Sequence, residues 1–184
     1  MKATYRCVDR TKRKIRTAFV ELIGEKKELQ SVTVGEISKR ADIAKSTFYN
    51  HYEDVYSVAE EFENELINEL SLIFDKIESD YQGYEVYFYE LISFLKAHEK
   101  IYHIAILSPD VKYFIEKLKS LIAQRVFVKN KSLPFSQNQA ERYAQIRLIA
   151  HACVDIMVDY FRGSLDMTLD EVCNLILSFL NKLK

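Results

Sequence analysis

Residues 33 to 52 read TVGEISKRADIAKSTFYNHY, and the folding of this stretch decides the rest. Thr33 stands just before Val34, with Glu36 three residues on, the pattern in which a threonine hydroxyl and a glutamate carboxylate close the open end of a helix on each other. The short helix that starts there runs to about Ala41. After a three-residue turn, a further helix of about one and a half turns runs from Lys45 to about Tyr52. Ile37, Ala41, Ile43 and Phe48 are spaced to meet inside the bend, and the small Ala41 permits a close crossing of the two axes. That packing turns Lys45, Ser46, Thr47, Tyr49 and Asn50 outward. Hydroxyls, an amide and a cation suit phosphate anchoring and base-edge contact in a DNA major groove, whereas a purely structural helical hairpin would present Glu/Lys pairs there.

The stretch resembles the DNA-binding region of the TetR family of transcriptional regulators, whose pattern runs approximately T-V-x-x-I-A-x-x-A-G-V-S-x-G-T-F-Y-x-H-F-x-x-K-x-x-L. The chain matches it at Thr33, Val34, Ile37, Ala41, Thr47, Phe48, Tyr49 and His51, with conservative changes at Ile43, Tyr52 and Val58. The close resemblance covers about Val8 to Ser57. It implies a helix-turn-helix in which Thr33, Tyr49 and His51 hold phosphates while Lys45, Ser46, Thr47 and Asn50 face bases. Departures from the pattern bear on the turn and on the interface. Asp42 stands for the usual glycine, and aspartate tolerates the left-handed backbone that a tight turn demands. Ala44 replaces a serine and removes an N-cap that contributes about 1 kcal/mol. Ser46 replaces a glycine, and Val55 replaces a lysine that in the family often touches a phosphate. The dense bases Arg10, Lys12, Arg13, Lys14 and Arg16 are expected to compensate for that lost anchor.

Around this motif the apolar spacing is helical, and only four glycines and two prolines interrupt the 184 residues. Ile15, Ala18, Phe19, Leu22 and Ile23 predict an amphipathic helix from about Val8 to Lys27. Asp54 caps a long helix to about Ser79, followed by Tyr84 to His98, a short piece from Glu99 to Leu107, and a helix opened by Pro109 that runs to about Val128. A loop with the second proline precedes a long helix over 138–162 that stops at Gly163, and Thr168 caps the last helix, over 168–183. The fold class is all-α with about nine helices. A three-helix DNA-binding domain is expected over residues 1–53, and a helical C-terminal domain over 54–184.

Charge supports that division. The chain as a whole has 26 Lys+Arg against 27 Asp+Glu, a net charge of -1 that by itself argues against a nucleic-acid binder. Yet the first 52 residues carry twelve bases and six acids, and the remaining 132 carry fourteen and twenty-one. Near-neutrality is a cancellation between a basic module and an acidic one, as in a nucleic-acid module joined to a partner-binding module. With 48% apolar residues the chain is neither disordered nor linker-like, and no apolar run approaches a membrane span or a signal-peptide core. A cytoplasmic protein without membrane contact is expected. Cys7, Cys153 and Cys173 form no C-x-x-C pair, and His98 and His103 are not at metal-ligand spacing. The sequence calls for no metal, no cofactor and no catalytic machinery: it has no nucleophile-base pair or phosphate-binding loop.

In the C-terminal part, the helices over 138–162 and 168–183 hold more apolar residues than one intramolecular face needs, which predicts a homodimer joined through them. By the resemblance, the dimer would bind a pseudo-palindromic double-stranded operator, more often as a repressor. Residues 81 to 114 are rich in aromatics, and Phe88, Leu91, Phe94, His98, Tyr102 and His103 are the candidate lining of a pocket for a small-molecule effector. The same residues also suit an ordinary core. Ala44 and Val55 keep a second reading open, a TetR-like scaffold acting through protein partners as a co-activator with weak or no DNA binding.

Overall fold

A computed structural model describes residues 2–77, 84–99, 102–103, 106, 112–128 and 134–183. The described residues form eight helices and no strand: α1 (Lys2–Lys26), α2 (Val34–Arg40), α3 (Lys45–Tyr49), α4 (Val55–Ile77), α5 (Tyr84–Ala97), α6 (Lys112–Ile122), α7 (Gln139–Phe161) and α8 (Leu169–Asn181). Tyr102, His103 and Ile106 are also helical, but most of the expected piece from Glu99 to Leu107 lies outside the described residues, as does Pro109. Among the described residues no helix is long and apolar enough to cross a membrane.

Local chemistry accounts for the helix boundaries. Thr33 and Thr168 each close a capping box, with the threonine hydroxyl accepting from the backbone N–H of Glu36 or Glu171 and the glutamate accepting from the threonine N–H. Asn138 Oδ1 accepts from Ala140 N and Glu141 N at the head of α7, and Asp54 Oδ1 accepts from Ser57 N at 2.8 Å at the head of α4. Helix α7 ends in a Schellman turn: Gly163 has φ 71°, its N–H donates to Tyr160 O, and Ser164 N donates to Asp159 O. Three expected boundaries moved. Helix α3 stops at Tyr49 rather than about Tyr52, with Asn50 as its C-cap. Helix α1 begins at Lys2 rather than about Val8, because residues 2 to 7 contain no helix breaker although the apolar stripe starts only at Ile15. Helix α6 gives way at Ala123 to a π-helical turn running to Val128. Five-residue spacing in that wider turn carries Phe127 into the same core as Ile122.

Two cores result. The smaller holds Ile15, Phe19, Leu22, Ile37, Phe48, Tyr52, Val55 and Val58 from α1 to the first turns of α4, and the larger is built from the rest of α4 and from α5 to α8. Phe62, half-buried on α4, packs against both, so one helix serves the head and the body.

Candidate nucleic-acid interface

The bend of the head closes around Phe48, which is fully buried with Ile37, and Ala41 is buried beside them. Its ring meets the edge of Tyr49 at 5.6 Å and lies 5.8 Å from Tyr52. The turn between α2 and α3 is a second Schellman motif, with Ile43 N donating to Ser38 O and Asp42 N to Lys39 O. Asp42 takes the left-handed position, with φ 54°, where a glycine would be unstrained. Ala44 precedes α3 without any side-chain cap.

This core fixes what faces outward. Lys45, Ser46, Asn50 and Tyr49, the last 58% exposed, stand on the outer surface of α3 and its end, while Thr47 and His51 are half-buried beside them. Thr33 is exposed at the head of α2, but its hydroxyl is engaged: it donates to Glu36 Oε2 at 2.9 Å and accepts from Glu36 N. Lys45 reaches back across α2. A Cβ placed on Gly35 would lie 3.2 Å from Lys45 Cε, 3.4 Å from its Nζ and 3.9 Å from Thr33 Oγ1. Gly35 was not among the candidate residues, and nothing in its spacing signals this contact.

The cations of the head divide into two groups. Lys12 Nζ lies 2.7 Å from Glu61 and 5.1 Å above the Tyr52 ring, and Arg16 bridges Glu61 and Glu65. Arg40 grips Glu25 through two nitrogens, at 2.8 and 3.0 Å, with Glu21 at 3.4 Å. Of the five bases expected to replace the missing lysine anchor, Lys12 and Arg16 are therefore held by α4, while Arg10, Arg13 and Lys14 are exposed. The sequence could not separate them, since the acids that hold Lys12 and Arg16 lie 45 to 49 residues away. Burial would raise the Glu61 carboxyl, but the hydrogen bond and charge of Lys12 and the charge of Arg16 outweigh it and hold it below the usual range. Glu65, desolvated and crowded by Glu61 and Glu69, is raised despite Arg16. These ties run from α1 to α4 and lock the head onto the helix that enters the body.

Glu36 is the most perturbed acid of the head. Lys26 Nζ donates to it at 2.6 Å, and with the Thr33 hydroxyl and N–H this holds its carboxyl down at about 2. A carboxyl lowered on folding stabilises the fold above its unfolded value of about 4.5, and that contribution is lost as the pH falls toward 2. Glu36→Gln is expected to lower the melting temperature at pH 7 and to shrink the further fall between pH 5 and pH 2. Parallel acid profiles for the two proteins would show that Glu36 contributes nothing to acid unfolding.

In the body, the candidate effector residues separate. Phe88, Leu91 and Tyr102 line a cavity of about 50 Å³, together with Leu70, Cys153 and Phe161 among other apolar groups. Phe94 stacks on His98 at 4.4 Å, and His98 Nδ1, just past the end of α5, lies 2.9 Å from Phe94 O, while His103 is exposed. None of these three lines the cavity. Burial pushes the Tyr102 hydroxyl well above the usual phenol range and the Cys153 thiol up to about 12, so both stay protonated. Cys173 is also a buried free thiol, and the side chain of Cys7 lies outside the described residues. Among the described residues no cluster of three or more His, Cys, Asp or Glu could hold a metal ion.

The chain superposes on solved regulators over nearly its whole length. The dihydroxyacetone kinase operon activator DhaS superposes with a TM-score of 0.64 at 23% identity, over 95% of this chain and 98% of that one. A TetR transcriptional regulator from Streptococcus agalactiae 2603V gives 0.66 at 19% identity, over 97% and 98%. The fold is that of the TetR regulators. Thermus thermophilus FadR, a TetR-family transcriptional repressor solved in complex with lauroyl-CoA, superposes at 0.59 and 18% identity, over 92% of each chain. In sequence, 47 residues are 34% identical to YxbF of Bacillus subtilis (strain 168), an uncharacterized HTH-type transcriptional regulator. That match spans 26% of this chain and only 12% of YxbF. No family model matches the chain.

Proposed function

We propose that this TetR-fold chain is a dimeric, sequence-specific DNA-binding transcriptional regulator, acting in the cytoplasm and not as an enzyme. The observation that carries the reading is the outward face of α3. Lys45, Ser46 and Tyr49 are exposed on a five-residue helix, with Asn50 exposed at its C-cap, and the opposite side is pinned by the buried Phe48. A short, rigid, uncharged-to-cationic ridge fits a major groove, with Ser46, Thr47 and Asn50 toward base edges and Tyr49, His51 and the head of α2 toward the backbone. Exposed Arg10, Arg13 and Lys14 on α1 add positive charge to the head. A scaffold acting without DNA is the less favoured reading, because the face a partner protein would make dispensable is intact and exposed.

The dimer would form through α7 and α8, where Leu148, Leu175 and Phe179 stand 50 to 69% exposed. Two-fold symmetry then places two copies of α3 one DNA turn, about 34 Å, or a multiple of it apart on a pseudo-palindrome. The role we assign is repression, as in FadR; DhaS, described as an operon activator, carries the same fold. Regulation would pass through α4. Leu70 touches the body cavity and Val58 belongs to the head core twelve residues away, about 18 Å along the helix. An effector that opens the cavity would displace α4, and the Lys12 and Arg16 ties to Glu61 and Glu65 would carry that displacement into α1. It regulates DNA binding only by favouring one spacing of the two heads over the other.

A mobility-shift titration on the DNA upstream of the chain's own gene, repeated over a salt series, tests the reading. Log K is expected to fall linearly with log salt, by about 0.9 per phosphate neutralised. No shift, or a shift indifferent to salt, would refute DNA binding.

A further inference from the structure

We propose that Gly35 is a positioning residue for Lys45, directing this lysine away from the base edges and onto the DNA backbone; the inference rests on the DNA-binding reading above. A lysine at the first position of a groove-entering helix can extend forward along that helix or back across the helix before it. Here it goes back, close enough that a methyl group on Gly35 would press on Cε at 3.2 Å. Lys45 Nζ lies 3.4 Å and Thr33 Oγ1 3.9 Å from the position of that methyl group, so the ammonium ends at the head of α2. In a helix-turn-helix the first helix of the pair crosses the sugar-phosphate backbone while the second enters the groove. A charge carried back onto α2 therefore meets phosphates.

Two further features fit this placement. The Thr33 hydroxyl gives its proton to Glu36 and the Lys26 ammonium is held by Glu36 and Ser31 O, whereas Lys45 brings a further ammonium to the head of α2 with donors to offer a phosphate oxygen. Gly35 also lacks a backbone reason for being glycine. It lies within α2, where alanine is the better helix former, and among the described residues only Gly163 is a glycine of positive φ. What its missing side chain provides is the space above α2 that Lys45 occupies.

The test uses the full chain and two duplexes, the tightest binder recovered from a random DNA library and a scrambled duplex of the same composition. Lys45→Ala is expected to weaken both by the same factor, so that their affinity ratio is unchanged, and to reduce the salt slope by about 0.9. Between 50 and 200 mM salt, wild type should then lose about 3.5-fold more affinity than the variant. Lys45→Arg should retain the full slope. Gly35→Ala is expected to raise the melting temperature yet weaken binding to both duplexes, and to have no effect on binding when combined with Lys45→Ala. If Lys45→Ala lowers the ratio along with the tight-binder affinity, Lys45 reads a base and the proposal is overturned. If Gly35→Ala weakens binding equally without Lys45, the glycine acts through α2 itself and its positioning role is overturned. A wild-type protein that binds neither duplex is a different failure, that of the DNA-binding reading, and this inference falls with it.

Discussion

Leu148→Glu combined with Phe179→Glu should convert the protein to a monomer of 21.6 kDa and cost it at least a hundredfold in operator affinity. Both side chains stand outside the core of a single chain, Leu148 at 69% and Phe179 at 52% exposure. Ala144, Leu148 and Ala152 make an exposed stripe along α7, and Leu175 and Phe179 one along α8. Leu148 and Phe179 line one open groove of about 380 Å³ with Phe135, Ile149 and Leu183. The inner faces of the same helices are already filled by Ile146, Ile149, Cys153, Val158, Val172, Ile176 and Leu180. A glutamate at either position therefore remains solvated in the monomer and leaves its fold intact. In a two-fold dimer each substitution is buried twice, and desolvating an unpaired carboxylate costs several kcal/mol. Sedimentation equilibrium at micromolar concentration reads the mass, and the mobility shift reads the affinity. A variant that still sediments as a dimer would place the interface elsewhere; a wild type that sediments as a monomer would remove the dimer from the mechanism.

What the sequence disclosed about this molecule was local chemistry, and what it withheld was side-chain direction over long separations. Thr33 with Glu36, and Gly163 after Phe161, announce helix ends because their partners lie within a few residues, and all of these caps form. Asp42 could be placed in a left-handed turn because few other residues tolerate one, and its φ is 54°. Phe48 was legible as core and Tyr49 as surface from their phase on one short helix. The charge surplus of the head was legible too, but not its distribution. Arg40 meets Glu25 fifteen residues away and Arg16 meets Glu65 forty-nine away, distances at which no periodicity pairs residues. The body cavity was only half legible. Aromatic richness drew attention to Phe88 and Tyr102, but equally to Phe94 and His98, which stack on each other rather than line it. Composition does not say which way a ring points.

The neighbouring positions Phe48 and Tyr49 should fail in opposite ways, and that contrast tests whether the head acts as a folded unit with a distinct working face. Phe48 is fully buried at the centre of the smaller core, touching Tyr49 and Tyr52 and packed among residues that include Ile37. Removing a buried phenylalanine to alanine costs about 3–5 kcal/mol, comparable to the whole stability of a core this small. Among the described residues the larger core shares only the half-buried Phe62 with it, so the body should keep its helices when the head melts. Phe48→Ala is thus expected to lose part of the helical circular dichroism, to open residues 27–54 to proteolysis, to abolish the DNA shift and to sediment unchanged. Tyr49→Ala removes a ring that is 58% exposed together with its edge contact to Phe48, a change of about 1 kcal/mol, well below that of Phe48→Ala, and should weaken the DNA shift while leaving the proteolysis pattern untouched. Equal melting of both variants would mean that Tyr49 is structural rather than part of the interface. A Phe48→Ala protein that still shifts DNA would mean that binding does not need the bend that Phe48 closes.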